Sequence, residues 1–189
     1  LYICHCKDRE VKMFSDKIRY KKILAGLLAA VSAVCPAAES KTRSMYYDVP
    51  LSAEVQEEIR QICDSREVDM TLVLAMIEKE SDFETDAVGD GQESYGLMQI
   101  QPRWHLNRME KLGVTDLLDP GQNVSVGVDI VAELSSKDKG QAWTLMAYNG
   151  GESLADRNLR EGKVSEYALS VMNIQKEIEE TQGGGRYDR

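Results

Sequence analysis

Glu80 stands out first as a residue placed to do chemistry. Its neighbours seven, four and three positions earlier are Val73, Met76 and Ile77, which share its face if the segment is helical. A carboxyl group that ends an apolar stripe is partly desolvated, and desolvation favours its protonated form. The negative end of a helix dipole acts in the same direction. A carboxylic acid held protonated near neutral pH can protonate a leaving oxygen. A glutamate at a frayed helix end would instead be solvated and ordinary, and spacing alone leaves both readings open. Glu78 points elsewhere and does not pair with Glu80. Cys63 and His105 suggest a peptidase pair, but Cys63 falls on an apolar helix face with Val55, Ile59 and Ile62. A nucleophilic thiolate needs an exposed, activating environment. The chain has two histidines, His5 and His105, too few for a metal site built mainly from histidine. Cys4, His5 and Cys6 do not complete a zinc ligand set.

Three further segments change the weight on Glu80. Gly96-Leu97-Met98-Gln99 follows a polar loop, Ala147-Tyr148-Asn149 ends an apolar helix, and Tyr167 lies on the last amphipathic stretch. Together with Glu80-Ser81, in this order, they resemble the lytic transglycosylase family with a soluble-lytic-transglycosylase (SLT) type domain. Asp119-Pro120, Asn123 and Gly127 resemble the family's helix start between the second and third motifs. The resemblance covers about residues 52–178.

The resemblance implies a mainly α, lysozyme-like fold (the goose-type lysozyme/SLT helical domain), with a short hairpin or irregular loop at 82–95. It implies cleavage of the β-1,4 bond between N-acetylmuramic acid and N-acetylglucosamine in peptidoglycan, leaving a 1,6-anhydro ring. Glu80 would be the sole catalytic acid and base, where most glycoside hydrolases use two carboxylates. By the same carry-over, Ser81 and Tyr167 would orient the carboxyl group or the sugar. Gly96, Leu97, Met98 and Gln99 would form the cleft segment, and Tyr148 and Asn149 would contact the sugar. No metal, nucleotide or organic cofactor is implied. The implied partner is the peptidoglycan glycan strand, the implied setting is secreted or extracytoplasmic, and a monomer is the default state.

The sequence departs from the family pattern before Gly96. Val88 to Tyr95 is more acidic than the family's short Ser-Pro-x-Gly-Ala stretch, and brings Asp86, Asp90 and Glu93 as candidates for a second carboxylate. With one of them activating water, the enzyme would be a hydrolytic muramidase. A catalytically dead wall-binding protein of the same fold is the other alternative, and the intact Glu80 counts against it.

The elements that must position these residues are helices. Apolar spacing predicts one from Ser52 through Cys63, and Asp69 can cap the next, whose run Met70 to Ile77 is apolar on nearly every side. Pro102 to about Leu112, Asp119-Pro120 through Leu134, Ala142 to Tyr148, and Val164 to Ile178 follow. Gly127, inside a helix, predicts a close contact there.

Upstream, Lys17, Arg19, Lys21 and Lys22 precede an apolar run, Ile23 to Val34, and the small residues Pro36-Ala37-Ala38. That layout predicts a signal peptide or short anchor over 13–38. Membrane contact is expected only if it stays uncleaved. Residues 1–12 read as an upstream or truncated segment, 39–50 as a linker, 51–180 as the catalytic domain and 181–189 as a flexible tail.

Over its 189 residues the chain is 42% hydrophobic and 29% charged, with a net charge of −9. Seven of the 23 Lys and Arg but only three of the 32 Asp and Glu lie in residues 1–38, leaving −13 on the remainder. That balance excludes a basic footprint for nucleic acid. It also gives no electrostatic steering toward an anionic wall.

Overall fold

The computed structural model describes residues 46–89 and 91–183. The expected signal segment, most of the expected linker, the Cys4-His5-Cys6 cluster and Asp90 lie outside the described residues. Among the described residues the chain forms α1 (Ala53–Arg66), α2 (Met70–Ser81), β1 (Val88–Gly89), β2 (Ser94–Tyr95), α3 (Pro102–Leu112), α4 (Pro120–Ser135), α5 (Gln141–Gly150), α6 (Glu152–Arg160) and α7 (Glu166–Gly183). The mainly α class is as expected, and the loop at 82–95 carries a small antiparallel hairpin with Val88 opposite Tyr95 and Gly89 opposite Ser94.

The helix starts follow local chemistry. Ser52 accepts from the Val55 N–H, Asp69 from the Thr71 N–H, and Asp119 from the Gln122 N–H ahead of Pro120. Each satisfies an orphan donor of the first turn. The described chain before α1 packs on it. The buried Gln56 accepts from the Tyr47 N–H and donates to the Tyr47 and Leu51 carbonyls. The stretch 46–50, expected as the end of a linker, is therefore tied to the domain.

α2 is the central helix. Thr71 to Ile77 are buried without interruption, as the all-round apolar run demands. It packs chiefly on α7, while α1 packs on α4, and α5 contacts α4, α6 and α7. α6 was not expected from the sequence. It is short and amphipathic, and only Ala155 of its residues is buried. α7 runs on to Gly183, past the expected domain end at 180.

The segment between the hairpin and α3 is a tight turn pinned from beneath by Asn123. This asparagine is fully buried. Its Oδ1 accepts from the Met98 N–H at 2.8 Å, and its Nδ2 donates to the Tyr95 carbonyl at 2.7 Å and the Leu117 carbonyl at 2.8 Å. Gly96 sits at φ +69°, and a Cβ there would collide with the Leu117 carbonyl and the Asn123 amide. The contact expected at Gly127 is with Met98, whose side chain fills the space a Cβ would take.

Two stability measurements test this arrangement. Asn123→Ala would leave one main-chain donor and two carbonyls short of a partner, and is expected to cost about 3 kcal/mol or more in denaturant unfolding. Gly96→Ala places a side chain at positive φ against fixed backbone and is expected to cost about 2–4 kcal/mol. A loss under about 1 kcal/mol for either variant would contradict the clamp.

Candidate active site

Glu80 is the penultimate residue of α2 and is half-buried. Val73, Met76 and Ile77, which precede it on the same face, are fully buried. The helix stops immediately afterwards. Asp82 takes up the left-handed conformation at φ +51° and donates its N–H to the Glu78 carbonyl. Phe83 follows at φ +64°. Positive φ at two non-glycine residues costs free energy, and burial of the Phe83 ring offsets it. The carboxyl group is therefore fixed at the abrupt end of a rigid helix.

Glu80 opens onto a cleft of about 870 Å³ lined also by Gln99, Trp104, His105, Tyr148 and Asn149. Across the helix pair, the Tyr167 hydroxyl of α7 donates to Glu80 Oε1 at 2.6 Å. Burial, then the Glu80 charge, pushes the Tyr167 phenol well above its ordinary value, so it remains a neutral donor. Tyr148 is raised by the same two causes. Its hydroxyl donates to the Met98 carbonyl at 2.8 Å.

The motif residues divide into two sets. Glu80, Gln99, Tyr148 and Asn149 line the cleft, and Tyr167 reaches it through its contact with Glu80. Ser81, Gly96, Leu97 and Met98 are buried instead. The Ser81 hydroxyl is directed at the Ile77 and Leu97 carbonyls, at 3.1 and 3.0 Å, which ties the end of α2 to the turn. Leu97 and Met98 are fully buried in the core. Gln99, at φ +47°, donates from Nε2 to the Gly96 carbonyl at 3.0 Å and the Ala87 carbonyl at 3.3 Å.

Among the described loop carboxylates, Asp86 and Glu93 do not line the cleft. Asp86 and Glu93 are exposed outside it, and Glu93 pairs with Arg103 at 2.7 Å. Asp90 is outside the described residues. Sequence reading missed Glu133 and Glu152, which do line the cleft. Both are engaged by cations: Glu152 by Lys137, and Glu133 by Arg108, which also pairs with Asp129. The Arg108 hydrogen bond holds Glu133 below the usual carboxylate range. His105 is pushed down by burial and then by the Arg108 charge, so it is neutral near pH 7. Cys63, the alternative nucleophile, is buried, and burial pushes its thiol up to about 12, which rules out a thiolate mechanism. Among the described residues, no cluster of three or more His, Cys, Asp and Glu could hold a metal ion, and no helix is long and apolar enough to cross a membrane.

Comparison with known proteins places this geometry. The family model described as the transglycosylase SLT domain matches residues 57–170. Among solved structures, the chain is similar to the lytic transglycosylase Slt from Pseudomonas aeruginosa, crystallised as an inactive glutamate-to-glutamine mutant. That match has 21% identity and a TM-score of 0.50, and covers 68% of this chain and 21% of that one. The 70 kDa soluble lytic transglycosylase SLT70 from Escherichia coli matches at 19% identity and TM-score 0.50, over 67% of this chain and 21% of that chain. The chain thus spans about a fifth of the length of either protein, and the likeness is one of fold. With the family match covering more than half of its residues, the chain belongs to the transglycosylase SLT domain family.

Proposed function

We propose that this chain is a peptidoglycan lytic transglycosylase with Glu80 as its single acid and base. The observation that carries this reading is the 2.6 Å contact from the Tyr167 hydroxyl to Glu80, in a cleft that Asp86 and Glu93 do not line. Glu133 and Glu152 are held by Arg108 and Lys137, whereas Glu80 accepts from the neutral Tyr167 hydroxyl.

The chemistry balances around one proton. Protonated Glu80 donates to the glycosidic oxygen as its bond to C1 of the muramic acid breaks, and the N-acetylglucosamine leaves with a free hydroxyl. The N-acetyl group of the muramic acid supports C1 during this step. The Glu80 carboxylate then takes the proton from the sugar's own 6-hydroxyl as O6 bonds to C1. The anhydro ring closes, Glu80 is protonated again, and no water is consumed. Between the two steps the group is an anion, and the Tyr167 hydroxyl, a neutral donor, stabilises it. Tyr148, bonded to the Met98 carbonyl, shapes the opposite wall beside Asn149. The substrate class places the enzyme's work outside the cytoplasmic membrane. Residues 13–38 would then serve as the export signal or short anchor.

Mass spectrometry of digested peptidoglycan tests this reading. Products one water lighter than hydrolysed ones, ending in anhydro-muramic acid, are expected. Reducing-end products would establish a muramidase and shift attention to the other carboxylates. Glu80→Gln is expected to lower turnover by about 10³-fold or more. Full lysis by that variant would overturn the assignment. Tyr167→Phe, which removes one hydroxyl and no packing, is expected to lower kcat about 10- to 100-fold with KM little changed. An unaltered kcat would remove Tyr167 from the mechanism.

A further inference from the structure

α3 presents a puzzle that the reaction alone does not explain. None of its residues is buried, yet Trp104 is 71% exposed and Leu106 63%. The other tryptophan, Trp143, is fully buried with its indole N–H on Asp156. A tryptophan left this open in water forgoes the large gain of burial.

Trp104 is nonetheless held. Its Nε1–H donates to Gln101 Oε1 at 3.2 Å. The Arg103 guanidinium lies over the indole, 5.2 Å from the ring centroid, a distance at which cation–π attraction operates. Arg103 is itself anchored to Glu93 at 2.7 Å and to Gln101 Oε1 at 3.1 Å. Gln101 Nε2 donates to the Ser94 hydroxyl of β2 at 3.1 Å. The ring is thus oriented from the hairpin, and Glu93, a carboxylate outside the cleft, is part of that frame. Trp104 lines the same cleft as Glu80. The main chain joins them through the turn that Asn123 clamps, since α3 begins three residues after Gln99.

We infer that Trp104 is a preoriented stacking platform for a saccharide of the glycan strand away from the bond that breaks, and so sets how tightly the strand is held. This rests on the transglycosylase reading of the cleft. A β-linked pyranose carries its substituents around its rim and turns faces of C–H bonds outward. Those faces suit the electron-rich face of an indole. The hydroxyl and N-acetyl groups at the rim need polar partners, and Gln99, His105 and Asn149 stand in the same cleft. At about 870 Å³ the cleft lies toward the upper end of ligand-sized sites, with room for more than the sugar at the reacting bond. Fixing the ring beforehand reduces the ordering cost of binding.

The full chain carrying Glu80→Gln, titrated with peptide-free glycan oligomers, tests the platform without turnover. Trp143 is fully buried, so acrylamide-sensitive emission reports on Trp104. A saturable blue shift with protection from acrylamide is expected. In the active chain, Trp104→Ala is expected to raise KM about tenfold, equivalent to about 1.4 kcal/mol, with kcat within about twofold. Trp104→Phe, which keeps an aromatic face, is expected to restore KM to within about threefold of the parent. Calorimetric binding with no change in tryptophan emission would overturn the platform and leave the transglycosylase reading intact. So would an unchanged KM in Trp104→Ala, a fall in kcat matching the rise in KM, or a Phe variant as impaired as Ala. Failure of the parent chain to bind glycan or to lyse peptidoglycan would overturn both.

Discussion

The side-chain amide of Asn123 fastens the turn from Tyr95 to Met98 to the main chain at Leu117. It accepts from Met98 and donates to Tyr95 and Leu117, all within 2.8 Å and out of contact with water. A buried polar group without a partner costs about 1–3 kcal/mol, so the three bonds must form together or the turn must open. Everything around the cleft is built from that turn. The carbonyl of Leu97 receives Ser81 from the end of α2, and the carbonyl of Met98 receives Tyr148 from α5. Two successive residues thus set the relative positions of the end of α2 that carries Glu80 and the Tyr148 wall of the cleft. Gly96 and Gly127 are required by the same clamp, one for its backbone conformation and one for the room it leaves Met98.

Glu80 inherits its precision from packing. α2 is buried along most of its length and packs chiefly on α7, which supplies Tyr167. The distance between the carboxyl group and its hydrogen-bond donor is therefore set by two helices in full contact, the kind of support that holds a reacting group within tolerance. α3 differs: it packs mainly on α4 and buries none of its residues. It serves as a wall of the cleft, braced by the Arg108 ion pairs with Asp129 and Glu133.

Much of this was legible in the sequence because the physics is local. A run apolar on every side, Met70 to Ile77, must be a central helix. Asp69 and Asp119 cap where cap residues fall before a helical pattern. Gly127 within an apolar stripe signalled a close approach, and the structure supplies its partner. What was not legible depends on three dimensions. A motif says where the chain passes, not which atoms face the substrate, so Ser81, Leu97 and Met98 turned out to be buried supports. The acidic departure of the loop before Gly96 offered Glu93 as a second carboxylate, but it pairs with Arg103 outside the cleft. α6 is short and buries only Ala155, and was not expected although it is amphipathic. Trp104 and Arg108 lie on a helix that the sequence places without assigning it a role, and only the fold brings it to the same cleft as Glu80.

In the proposed reaction one carboxyl group handles both proton transfers, and the sugar's own hydroxyl, not water, closes the ring. Digestion of peptidoglycan by the full chain in ¹⁸O-enriched water tests it most directly. No heavy oxygen is expected at C1 of the terminal muramic acid in the released products. Stoichiometric ¹⁸O at that carbon would contradict it, and would mean that a water molecule attacks where the 6-hydroxyl is proposed to.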